Sequence, residues 1–384
     1  MSASAFAASP NELWWDTISG PARFVRDVAS ALRGGKHVCI LSRDGLPWHA
    51  TFRSRVRDAL VETENDLQFV DDLEFGTGDM PGEVLVRYFG LDAMYRASKT
   101  HEEFLNERRA LKNYIVCAAA REQEIEQWVK LMRAYSPGSA DGGLLLLDMR
   151  LSRAPAGVRN VKFMEYWNYV TEYDALMFAG LLTDSAMSDE SKRYSAAVTV
   201  ALFGTDVERS SQSAGSGDAA QDPAERLVPL LADDFPADEL ARRLWKAQAQ
   251  TLFPLIMQQW RYFFEEWRDR IDEAFEYASS HLPYGVQGTD GETICSPDEM
   301  EIANVRYLMR RRRCDDSGQI LYIPDETARE RLELLYSMRN QIAHGKVCKA
   351  EDVAMLVGSA GQRPGNAREM PGKYPDILQR GLGS

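Results

Sequence analysis

Residues 334–347 read LLYSMRNQIAHGKV and contain three side chains suited to proton and anion chemistry: Arg339, Asn340 and His344. The apolar spacing upstream predicts one helix, with Asp325 as its N-cap and Gly345 closing it in the left-handed conformation. An imidazole such as His344 can both take and give a proton near neutral pH. Asn340 lies one turn earlier on the same face, where its carboxamide can orient the ring. Arg339 lies about 140° round the helix from His344, so the two share a cleft only against a concave surface or across to a second subunit. A helix C-terminus carries about half a negative charge, which favours a cation there. Acid/base chemistry on an anionic substrate needs a proton carrier and an anion clamp, and both types are present. The same residues can also be structural, with Arg339 paired to an acidic helix neighbour and His344 capping carbonyls.

The pattern of Arg, a short spacer and His occurs twice more, at Arg43 to His49 and at Arg96 to His101. The first pair spans Gly45 and Pro47 and cannot lie on one helix. In the second, Thr100 reads as an N-cap with Glu103 completing a capping box, which puts His101 at a helix start. RNQIAHG instead ends an apolar-periodic helix late in a region with almost no strand signal.

In that setting RNQIAH resembles the HEPN superfamily, small helical bundles whose ribonuclease members carry Arg, a spacer of four to six residues and His, commonly with Asn directly after the Arg. The resemblance spans roughly residues 236–360. It implies that two copies of the motif meet across a dimer and cleave RNA without metal. In this chain it implies His344 as general acid/base at the ribose 2′-hydroxyl, Arg339 as phosphate clamp and Asn340 as the residue that positions them.

Upstream, PDEMEIANVRYLMRRRRC predicts a helix ending in Arg310, Arg311, Arg312 and Arg313. Four consecutive residues point all round a helix, so one or two of them can hold RNA phosphates beside the site. The competing reading is a solvated charge run that stabilises the helix end or pairs with Asp315 and Asp316. Before it, the stretch from Asp238 to about residue 280 reads as helical, with one broad apolar stripe and a kink expected near Pro254.

Residues 12–205 read differently. PARFVRDVASALRGG spaces Phe24, Val25, Val28 and Leu32 as a helix, and HVCIL, LQFVDDL, NYIVCAAA, GLLLLDM and VKFMEYW read as strands separated by amphipathic helices. Strands alternating with helices predict an α/β domain with a mostly parallel sheet buried on both faces. This layout resembles a P-loop NTPase of the AAA+ kind, but a degenerate one. After HVCIL the chain offers SRDGLPWHAT, which has one glycine, a proline that removes a donor, and no lysine, where a phosphate cradle needs GxxxxGK[ST]. LLLLDM supplies Asp148 at the place of a Walker-B acid. Residues 206–225 are rich in Ser, Gly, Ala and Asp and read as a linker or mobile loop, 226–360 as the helical domain and 361–384 as a tail.

Composition limits the alternatives. The chain has 384 residues, 45% of them apolar, enough for two or three folded domains. Its net charge of −13 argues against broad, nonspecific binding of nucleic acid or membrane. From Asp238 onward 20 basic residues face 23 acidic ones, so an anion site is better sought there. The longest apolar run, GLLLLDM, falls far short of a membrane span of about 20 residues, and the first residues lack the form of a secretory signal. The five cysteines are widely spaced with no CxxC pair, which suits a reducing, cytoplasmic setting. Cys295, Cys314, Cys348 and His281 lack the close pairs of a zinc site.

The combined expectation is a metal-independent HEPN endoribonuclease with no cofactor. It would be a regulated toxin or antiviral-defence effector, homodimeric or larger, acting on RNA. The noncatalytic α/β domain would serve as a sensor with room for a protein or nucleotide signal. The alternative is a noncatalytic adaptor that uses both domains to bind proteins.

Overall fold

The computed structural model describes residues 9–61, 68–71, 73–75, 78–120, 122–134, 143–156, 158, 160–214, 224, 227–288 and 291–359. The chain divides into two compact units, one of residues 1–182 with 203–216 and the other of 183–202 with 217–384.

The first unit is built on five parallel strands, β1 (His37–Ser42), β2 (Gln68–Val70), β3 (Tyr114–Ala120), β4 (Leu144–Arg150) and β5 (Val161–Glu165), in the order β2-β3-β4-β1-β5. Val38 registers with Leu146 and Lys162, and Ile115 registers with Leu144. All six residues of β1 are buried, which is why the sequence there shows an unbroken apolar run and not an alternation.

Parity along the strands sorts the side chains into two layers. Cys39, Leu41, Val116, Ala118, Leu145, Leu147 and Met149 join a core that includes Leu85, Leu105 and Trp128. Those three residues belong to helices α3 (Pro81–Tyr88), α4 (His101–Arg108) and α5 (Ile125–Ala134), which follow α1 (Ser19–Arg33) and α2 (His49–Val61) in the chain. On α1 Phe24, Val25, Val28 and Leu32, the stripe that its spacing predicts, are all buried. This helix packs on α2 and on β1, with the Phe24 and Phe52 rings 5.7 Å apart. Helix α6 (Glu172–Leu181) follows the sheet. Beyond α7 (Asp189–Phe203), the segment Val207–Ala214 forms helix α8 where the sequence reads as a linker; residues 215–223 and 225 lie outside the described residues.

The second unit is helical. Its long helix α9 (Ala237–Glu266) runs through Pro254, and the helical run breaks instead at Trp267, after which α10 (Arg268–His281) begins. Helices α11 (Ile302–Arg310), α12 (Glu326–Ala343) and α13 (Ala350–Ser359) follow, with α9 and α11 both packed on α12, and residues 189–202 of α7 also belong to this unit. Helix α12 buries Ala328, Leu332, Leu335, Met338 and Ile342, a stripe of i, i+4, i+7, i+10 and i+14 that fixes which of its faces stays open. Among the described residues no helix is long and apolar enough to cross a membrane.

Candidate functional site

Both ends of α12 are built from its sequence. Asp325 caps the start by accepting from the backbone N–H groups of Thr327 at 2.9 Å and Ala328 at 3.3 Å. At the other end His344 is the C-cap itself, one position beyond the last helical turn in which its sequence spacing placed it. Gly345 follows at φ +72°, a conformation that costs an L-residue with a side chain about 1–2 kcal/mol. Its N–H donates to the Ile342 carbonyl at 3.1 Å and that of Lys346 to the Gln341 carbonyl at 2.8 Å, the paired bonds of a Schellman motif. Trp245 of α9 donates to the same Ile342 carbonyl at 2.8 Å, and Gln248 accepts from the buried Cys348 N–H at 2.7 Å. The turn that presents His344 is therefore tied to the long helix on both sides.

His344 is exposed and lines a groove of about 380 Å³ with Asn340, Tyr336, Glu333, Arg306 and Lys346. Asn340 and His344 thus share an open surface with two cations beside them. Arg306 and Lys346 were not singled out in the sequence. Arg306 comes from α11, and only the packing of α11 on α12 puts it here; Lys346 follows the motif directly, and its proximity in sequence was the available signal.

Arg339 is not in the groove lining. Its guanidinium donates to the Asn340 carboxamide oxygen at 3.2 Å and to Glu301, the N-cap of α11, at 3.1 Å. The angular offset from His344 expected from helix geometry is what separates them. The Asn340 carboxamide oxygen accepts from Arg339, and no hydrogen bond to the His344 ring is formed among the described residues.

The four arginines also part company, and they do not all end a helix. Only Arg310 is helical, and it donates to Glu333 at 3.1 and 2.8 Å, beside the groove. Arg311 and Arg313 pair by backbone hydrogen bonds with Ile320 and Gly318, and Arg312 bridges to Gln319, so these three begin an antiparallel turn. Arg311 lies against Tyr307, Arg312 is 3.8 Å from Asp316, and Arg313 faces Glu273 and Tyr277. A phosphate at the groove could meet Arg310; the other three face elsewhere.

In the first unit the loop after β1 is closed by the protein's own carboxylates. Asp148, buried at the end of β4, accepts from the Ser42 hydroxyl at 2.7 Å and from the Leu46 N–H at 3.4 Å, and Glu208 accepts from the Trp48 N–H. The Trp48 ring packs on Phe178, and the Pro47 carbonyl accepts from Trp15 at 3.2 Å. Where a phosphate cradle directs N–H groups at an anion, two of these N–H groups are spent on carboxylates. Burial, helped by the nearby Arg53, holds the His49 imidazole below its ordinary pKa, with Asp148 opposing.

Among the described residues no three His, Cys, Asp or Glu side chains are grouped so as to hold a metal ion. Comparison with protein-family models and with curated proteins finds no match to this chain.

Proposed function

We propose that the chain is a metal-independent endoribonuclease of the HEPN kind, a regulated toxin or antiviral-defence effector whose α/β unit is a noncatalytic sensor. The observation that carries this reading is the shared groove of Asn340 and His344, open to solvent and flanked by Arg306 and Lys346. An imidazole in an open, cation-lined groove can take the proton from a ribose 2′-hydroxyl as its oxygen attacks the adjacent phosphorus. The bond from phosphorus to the 5′-oxygen then breaks, and a second imidazole, from a partner copy, gives that oxygen its proton. The products are a 2′,3′-cyclic phosphate and a 5′-hydroxyl.

Arg339 enters this scheme as the clamp on the phosphate. Its ion pair with Glu301 is exposed, with the side chains 32% and 50% accessible, and such pairs contribute about 0–1 kcal/mol. A phosphate can therefore displace Glu301 at little cost. The sensor assignment rests on the loop after β1, whose N–H groups are bonded to Asp148 and Glu208 in the manner of a structural turn.

The ion pair of Arg339 with Glu301 also favours a second reading, a noncatalytic adaptor in which the motif only holds α11 against α12. Expression in a bacterial host separates the two. The ribonuclease reading expects wild type to slow growth with visible RNA fragmentation and His344→Ala to do neither. Equal growth and intact RNA in both would favour the adaptor.

A further inference from the structure

The groove continues along α12 away from His344, and the far end has chemistry of its own. Glu333, Tyr336, Asn340 and His344 recur every three or four residues and so form one stripe. Eight residues separate Tyr336 from His344, about 12 Å of helix. At that distance Arg306 lies over the Tyr336 ring, its guanidinium carbon 4.1 Å from the centroid. Its Nε donates to one Glu333 oxygen at 2.7 Å, while Arg310 holds the other oxygen. Two guanidinium groups thus face one carboxylate, which leaves one positive charge in excess. The ring beneath and the carboxylate beside it fix Arg306 as a flat plate, and its side chain is 23% accessible at the groove.

We propose that Arg306 stacked on Tyr336 is a nucleotide platform, on which an unpaired base next to the scissile bond lies while the excess charge of Arg306 and Arg310 holds its phosphate. Guanidinium planes and tyrosine rings are the surfaces on which unstacked bases lie in complexes with single-stranded RNA. A base in a duplex is already stacked on its neighbours and cannot reach such a plate. A base that reaches the plate must therefore be unpaired. This inference rests on the ribonuclease reading of the His344 groove and adds to it a base-holding subsite at Arg306 and Tyr336.

The test is fluorescence anisotropy on the full chain with a fluorescein-labelled RNA of about eight nucleotides, 2′-O-methylated so that it cannot be cleaved, as a single strand and as a duplex. Wild type is expected to bind the single strand more tightly than the duplex. Tyr336→Phe keeps the ring and should bind as wild type does, whereas Tyr336→Leu should bind about tenfold more weakly. Arg306→Lys keeps the charge but loses the plane, so affinity should fall with the salt dependence retained. Arg306→Gln should in addition lower the slope of log affinity against log salt by about 0.7. Unchanged affinity in both Tyr336→Leu and Arg306→Lys would overturn the platform and leave the ribonuclease reading standing. No binding of either RNA by wild type at about 50 mM salt would overturn both.

Discussion

Arg339 donates to Glu301 at 3.1 Å, and this contact turns the motif's arginine toward α11 and away from the groove that Asn340 and His344 line. The pair joins the N-cap of α11 to α12. If Arg339 is a phosphate clamp held in reserve, Glu301→Gln removes the charge that competes with a phosphate while keeping the size of its partner. RNA cleavage by Glu301→Gln is then expected to equal or exceed wild type by up to about fivefold, the equivalent of the roughly 1 kcal/mol that an exposed pair contributes. Measured initial rates that fall, together with a lower melting temperature, would make the pair a structural one.

The loop after β1 leads to a second expectation. Magnesium and ATP should leave the melting temperature unchanged, because the Leu46 and Trp48 N–H groups already donate to Asp148 and Glu208. Asp148→Asn replaces one acceptor of a buried pair of hydrogen bonds with a donor, and should cost about 1–3 kcal/mol in denaturant unfolding. A rise in melting temperature on adding ATP would contradict this account of the loop.

The parts of the fold that local physics dictates were legible in the sequence. HVCIL and GLLLLDM read as buried strands because both of their faces are covered. Thr100 and Glu103 form the capping box that their spacing implies, so His101 does begin a helix. Asp325 caps α12 for the same local reason. What escaped were the relations made by distant pairing. β1 lies between β4 and β5, an order that no local pattern encodes. Arg306 reaches the groove through the packing of α11 on α12, and its own helix shows no sign of it. The helix angle could set Arg339 apart from His344; that Glu301 would receive it depends on where α11 begins. The arginine run was misread as wholly helical because backbone hydrogen bonds across a turn, from the Ile320 N–H to the Arg311 carbonyl and from the Arg313 N–H to the Gly318 carbonyl, outweigh helix propensity.

Gly345→Ala isolates the backbone term of the turn that carries His344. Outside Gly345 and its two chain neighbours, no atom lies within 4 Å of the place a Cβ would take, so the substitution adds only the strain of φ +72°. Unfolding of the second unit in urea should show a loss of about 1–2 kcal/mol. A neutral result would mean that the helix end at Gly345 relaxes freely, and that His344 is not held by it.

Thiol reactivity should divide the cysteines. Burial pushes Cys39, Cys117 and Cys348 up to about 12, while Cys295 and Cys314 are exposed. The thiolate is the reacting form. Titration of the native protein with a chromogenic disulfide near pH 8 should modify Cys295 and Cys314 rapidly and the other three only after denaturation. Rapid reaction of Cys348 would show that the segment following His344 opens.

Glu239 is one carboxylate of the second unit whose contribution to stability should be lost in acid. Hydrogen bonds from Arg242 and Arg243 hold its carboxyl down at about 2, against an ordinary value of 4.5. A carboxyl with a depressed folded pKa contributes stability above its unfolded pKa and loses it as pH falls through the folded one. The contribution should be intact above about pH 4.5 and vanish toward pH 2, and Glu239→Gln should flatten the melting profile over that window. An identical profile in the variant would remove Glu239 from this role.

The most direct measurement is cleavage of a single-stranded RNA by the full chain in the presence of EDTA, with wild type, His344→Ala and Arg339→Ala compared at equal concentration. The account predicts that wild type cleaves with EDTA present, leaving 2′,3′-cyclic phosphate ends, and that each variant loses about a hundredfold or more in rate while melting as wild type does. Cleavage abolished by EDTA, cleavage retained by His344→Ala, or intact RNA with wild type would contradict it.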